Sequence, residues 1–79
     1  MTEAQRNEMI HAMVARLADR LKQDGSDLEG WLRLVRGYMV LGDRDKASAA
    51  VADARRALAS DPDKVRRIDD LAKGLGLNG

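Results

Sequence analysis

The chain has 79 residues, with 14 Lys and Arg against 13 Asp and Glu for a formal net charge of +1, one His and no Cys. That length allows one domain with a thin core, since a domain of this size buries only about 60% of the surface its unfolded chain exposes. Lack of cysteine excludes a disulfide framework, a thiolate nucleophile and a thiolate metal site, and the balanced charge gives no strong pull toward nucleic acid or acidic lipid. No apolar run approaches the roughly 18 residues that a membrane span needs, so direct membrane insertion is not expected. The opening Thr2-Glu3-Ala4-Gln5-Arg6 has no hydrophobic segment of the secretory kind. A piece of a larger anchored or exported parent is compatible with all of this.

Gly and Pro punctuation divides the chain into four predicted helices. The first covers residues 5–24, where Ile10, Met13, Val14, Leu17, Ala18 and Leu21 recur at steps of three and four and form one apolar stripe. His11 lies beside that stripe with no second ligand type nearby, so it reads as a surface histidine. In the turn Asp24-Gly25-Ser26-Asp27, Gly25 can take a left-handed conformation, Ser26 and Asp27 are both candidate N-caps, and Ser26 with Glu29 fits a capping box. The second helix covers residues 28–41, with Leu28, Trp31, Leu34, Val35 and Tyr38 on one face. Gly37 inside it costs about 0.5–1 kcal/mol relative to Ala, a loss that a close helix crossing would explain. Gly42-Asp43 makes the next turn, with Asp43 as cap. The third helix, residues 44–60, buries Ala47, Ala50, Val51, Ala54 and Leu58. Pro62 opens the fourth, residues 62–73, with Val65, Ile68, Leu71 and Ala72 apolar. Gly74 or Gly76 ends that helix, and Leu75 and Leu77 cover the end of the core. Loops this short place antiparallel helices side by side, in an all-α fold that forms a single domain over residues 1–79.

The segment from Gly25 to Leu41 has an echo 37 residues later: Gly25 matches Pro62, Trp31 matches Ile68, Leu34 matches Leu71, Val35 matches Ala72 and Tyr38 matches Leu75. A period of one helix pair is the mark of a helical solenoid. With Trp31, Leu34, Tyr38, Ala47 and Ala54 at their spacings and Gly42 between, the chain resembles the tetratricopeptide repeat family over one full helix pair, flanked by a helix on each side. It departs from that pattern at Val35, where Gly or Ala is usual, and at Val51, where an aromatic is usual. The usual proline falls at Ala59 but stands at Pro62, so the third helix looks about three residues too long, which leaves the groove beyond it undefined. The run Asp27-Leu28-Glu29-Gly30-Trp31-Leu32-Arg33-Leu34, then Tyr38-Met39-Val40-Leu41-Gly42, preceded by Met13-Val14-Ala15-Arg16-Leu17, is similar to the repeat region of the CycH (CcmI) family of cytochrome c-type biogenesis proteins.

The resemblance implies a periplasmic domain of a membrane-anchored parent that holds apocytochrome c, notably its C-terminal helix, for delivery to the haem-attachment machinery. Without it, a cytoplasmic adaptor is the reading. Trp31, Leu34, Tyr38, Ala47, Val51, Ala54, Ile68 and Leu71 are then the structural core, and the aromatics are scaffold. Residues flanking the packing stripe line the peptide groove: Glu29, Leu32, Arg36, Met39 and Val40, with Arg36 as the charged contact, and Arg66, Asp69 and Lys73 on the fourth helix. The competing account has Leu32 and Val40 packing against the first helix and Met39 filling a gap. With one His and no paired carboxylates in an apolar cleft pattern, the chain reads as non-enzymatic, with no cofactor and no metal. A nucleic-acid module fits poorly, because Asp61, Asp63, Asp69 and Asp70 interrupt the basic cluster of Arg55, Arg56, Lys64, Arg66 and Arg67. A generic adaptor, or weak self-association through open helix ends, is the alternative role.

Overall fold

Side-chain caps set where each helix begins. In the computed structural model, which describes residues 2–77 and so leaves Met1, Asn78 and Gly79 outside, the helices are α1 (Glu3–Gln23), α2 (Leu28–Val40), α3 (Arg44–Ala57) and α4 (Pro62–Gly74). Thr2 Oγ1 accepts from the Gln5 backbone N at 3.1 Å while Thr2 N donates to Gln5 Oε1 at 2.9 Å, a capping box that starts α1 earlier than the periodicity predicts. Asp27, Asp43 and Asp61 cap the other three, each accepting from the backbone N–H three residues on, at 3.1, 3.0 and 3.3 Å. Pro62 occupies the first turn of α4, where its missing N–H is no loss.

Three local expectations need correction. The Ser26–Glu29 capping box does not form: Ser26 N and Oγ both donate to Asp24 Oδ1, at 3.2 and 2.7 Å, so the cap passes to Asp27. Those two hydrogen bonds hold the Asp24 carboxyl below its ordinary value, with smaller help from Arg20 and Lys64. Gly25 is not left-handed; among the described residues only Gly42 and Gly76 have positive φ. Gly25 is needed for space instead, since a Cβ there would lie 2.7 Å from the Ala57 Cβ. Finally, α3 stops at Ala57 and is not overlong: Ala59 N donates to Arg56 O and Asp61 N to Leu58 O, a turn that frees Asp61 to cap α4.

The four helices run antiparallel in sequence, and no strand occurs among the described residues. Helix α2 is the centre, touching α1, α3 and α4, while α1 touches α2 alone. That is the arrangement of a tetratricopeptide-like hairpin, α2–α3, with one helix on either side. Gly37 marks the α1–α2 crossing: a Cβ there would come within 2.7 Å of Val14 Cγ2. Trp31, Leu34 and Val35 of α2 meet Ala47, Val51 and Ala54 of α3 in one buried cluster that also takes Val14, Leu21, Leu58, Ile68 and Ala72. The alanines let the backbones approach, and the large side chains of α2 bring most of the buried area. Tyr38 and Leu71 lie at the core margin, half-buried. Trp31 Nε1 donates to Gly25 O at 2.9 Å, tying the buried indole to the α1–α2 turn, and Lys64 Nζ reaches Ser26 O of the same turn at 3.1 Å. The molecule measures 41 × 27 × 16 Å.

Candidate functional site

Because α2 is covered on three sides, its free surface is a narrow strip. Gly30 and Gly37 face α1, where added Cβ atoms would meet Leu21 and Val14. Trp31, Leu34 and Val35 are buried in the core. The remaining quadrant of the helical period exposes Glu29, Arg33, Arg36 and Val40, one above another at steps of three and four. Three of the groove residues expected from the sequence, Glu29, Arg36 and Val40, are on this strip. Arg33 joins them and was not among the expected residues.

Leu32 is not on the strip. Only 3% of it is exposed, so its side chain is core and has no surface to offer a partner. The flanking-position rule places it in a groove, but α2 is covered by three helices here and the position next to the packing stripe is buried too. Met39 is half-buried and packs on the core, the gap-filling role. Val40 is 67% exposed and does not pack away against α1.

On α4 the residue that meets the strip is Arg67, whose Nη2 stands 4.0 Å from Glu29 Oε1. Asp69 turns the other way, accepting from Arg55 Nε of α3 at 2.6 Å. Arg66 and Lys73 are exposed and share the Asp69 stripe at helical spacing, so Arg66, Asp69 and Lys73 look along the α3 side and not across the α2 strip. The 37-residue echo carries the α2 positions onto α4, but not the character of every one of them. The α4 equivalent of Leu32 is Asp69, a polar residue where α2 has an apolar contact.

Neither Arg33 nor Arg36 forms an ion pair among the described residues, so both guanidiniums are available to a carboxylate. Beside the strip a recess of about 330 Å³ opens between α1 and α2. Val14, Gly37 and Leu17 form its floor, with Met13, Arg16, Arg20 and Arg33 around it. Arg16 and Arg20, four residues apart on α1, were the sequence signal for it, but only the crossing at Gly37 shows that they share a wall with Arg33. On the far side of α2, Tyr38 borders a second hollow of about 250 Å³ with Ala18, Ala50 and Asp53. Its phenol is pushed above its ordinary value of 10.0 by desolvation first, then by Asp43 and Asp53.

His11 is exposed on α1, and no group of His, Cys, Asp or Glu among the described residues could hold a metal ion. No helix among them is long and apolar enough to cross a membrane. No family model matches the chain, and no solved structure does. Two curated relatives match along its whole length. The cytochrome c-type biogenesis protein CycH of Bradyrhizobium diazoefficiens is 54% identical over 79 residues, which is 100% of this chain and 21% of that protein. CycH of Rhizobium meliloti is 44% identical over 78 residues, 99% of this chain and 20% of the relative. The chain therefore spans about a fifth of the length of the curated relatives it matches. Identity at this level makes it homologous to one segment of the CycH proteins, a segment that folds as a helical module.

Proposed function

We propose, from this homology to a segment of CycH, that the chain is a peptide-binding module of c-type cytochrome maturation that holds apocytochrome c through its C-terminal helix. In the same reading it is the periplasmic part of a membrane-anchored parent and presents its cargo to the haem-attachment machinery. The observation that carries the reading is the exposed strip of α2. Two guanidiniums without an ion pair among the described residues, Arg33 and Arg36, stand beside the exposed Val40 on the one helix that every other helix braces. A rigid helix offering apolar contact next to charge is how a repeat module takes a helical or extended peptide. Trp31 and Tyr38 support the strip from behind; the indole is buried and its N–H is already satisfied within the chain.

The test is an NMR titration of the chain with a peptide from an apocytochrome c C-terminal helix. Amide shifts are expected to cluster at Arg33, Arg36 and Val40 and to weaken in the Arg36→Ala/Val40→Ala variant, whose substitutions are both on exposed positions. Absence of any shift at millimolar peptide would sink cytochrome capture by this segment.

A further inference from the structure

We infer that the trough between α1 and α2 is a docking groove for an acidic, amphipathic helix, with an apolar end and a carboxylate-binding end. The large hydrophobic side chains most exposed among the described residues are Met9 at 51%, Met13 at 53% and Val40 at 67%. Met9 and Val40 extend the recess at one end by their helical spacing, although Met9 also borders a separate shallow hollow on α1 with Gln5, Glu8 and Ala12. Met13 lines the recess; Met9 is one turn before it on α1, and Val40 is one turn beyond the lining Gly37 on α2. Because α1 and α2 are antiparallel, with Val14 opposite Gly37 and Leu21 beside Gly30, these three side chains gather at the same end. Methionine suits a surface that must adapt to an apolar anchor.

The other end is basic. Arg16, Arg20 and Arg33 line it and no acidic side chain does. Arg33 has no ion-pair partner among the described residues, and Arg16 makes only a 3.5 Å hydrogen bond to the Ala12 carbonyl of its own helix. Arg20 spends one guanidinium nitrogen on Asp27 at 2.8 Å and keeps the rest of its fork. Between the two ends the floor is low because Gly37 has no side chain. From Met9 to Arg20 the groove runs about 17 Å at 1.5 Å per residue, the length of a partner helix of about three turns. Charge complementarity then selects the partner: apolar anchors over the methionines and Val40, carboxylates one to two turns away over the guanidiniums.

The inference deepens the peptide-capture reading by giving the chemistry and the face, and it does not require the segment to come from a cytochrome. The experiment uses the isotope-labelled chain and three peptides: a designed helix with Leu anchors at one end and Glu at the other, the same helix with Lys for Glu, and the apocytochrome c peptide. The acidic helix is expected to shift the Met9 and Met13 methyls and the Gly37 amide. Its affinity should fall about tenfold or more in Arg16→Glu/Arg33→Glu, while the Lys helix should gain on that variant. Both substitutions are on exposed positions, and circular dichroism verifies the fold. Equal affinity for the Glu and Lys helices, shifts confined to α4, or a concentration-dependent dimer that fills the trough in sedimentation would each overturn the groove. If the acidic helix docks and the cytochrome peptide is silent, the cytochrome reading falls and the groove stands. If the cytochrome peptide moves the α2 strip while the trough methyls stay still for every peptide, the groove falls and the cytochrome reading stands.

Discussion

At the scale of single residues, the sharpest constraint is the glycine in the middle of α2. Alanine is a better helix former than glycine by about 1 kcal/mol, so propensity alone makes Gly37→Ala stabilising. A Cβ at that position would stand 2.7 Å from Val14 Cγ2, and Val14 is β-branched, buried and stiff at χ1. Urea unfolding is therefore expected to find Gly37→Ala less stable than the parent. In a Val14→Ala background the same change should become stabilising, and a loss of stability there would refute the crossing as the cause. Tyr38 supplies a pH signature. Desolvation, Asp43 and Asp53 raise its folded value above 10.0, so its contribution to stability is complete below the unfolded value and is lost as pH rises through the folded one. It is the sole tyrosine of the chain, so near-ultraviolet absorbance reads its titration directly. The midpoint is expected above that of the urea-unfolded chain, and Tyr38→Phe should remove this part of the alkaline loss.

At the scale of the element, α2 behaves as a helix with three packed sides and one free one. That separates two apolar residues which the sequence treats alike. Leu32 is fully packed, and truncation to Ala is expected to cost about 2–5 kcal/mol through lost burial and a residual cavity. Val40 is largely exposed, so Val40→Ala should stay within about 0.5 kcal/mol while weakening peptide binding. Thermal unfolding of the two variants side by side decides the matter; a small loss for Leu32→Ala would return that residue to the surface. The caps show the same division of labour. Asp43 as a cap and Pro62 as a helix start are read directly from local sequence, because both depend on neighbours within a few residues. Between the two candidates Ser26 and Asp27 the cap falls to Asp27, because Asp24, two residues before Ser26, competes for its hydroxyl.

At the scale of the molecule, α1 and α4 differ in the surface they present. α1 is held by α2 alone and presents Met9 and Met13 to solvent, whereas α4 carries Arg66 and Lys73 exposed on either side of Asp69, which pairs with Arg55 of α3. An exposed polar stripe on a helix disfavours the apolar stacking of another helix against it. Arg66→Leu/Lys73→Leu leaves the Arg55–Asp69 pair in place and makes that stripe apolar. Sedimentation velocity is expected to show the variant self-associating with concentration more strongly than the parent. Identical profiles would mean that this stripe is not what limits stacking.

Four helices, their order, the Asp43 cap, the Pro62 start of α4 and the scaffold role of Trp31 were legible in the sequence, because periodicity and turn chemistry are local and survive without knowledge of neighbours. Most of the core followed for the same reason: Trp31, Leu34, Ala47, Val51, Ala54 and Ile68 repeat on the faces that helices must bury. The surface did not follow. Whether a flanking residue is groove or core depends on how many helices crowd the one that carries it, and that number belongs to the packing. It buried Leu32, turned Asp69 toward Arg55, and set Arg16 and Arg20 of one helix beside Arg33 of another. Local periodicity and turn chemistry are enough to dictate an all-helical repeat module; the crossing of Val14 over Gly37, residues far apart in the chain, sets where that module has a face to offer.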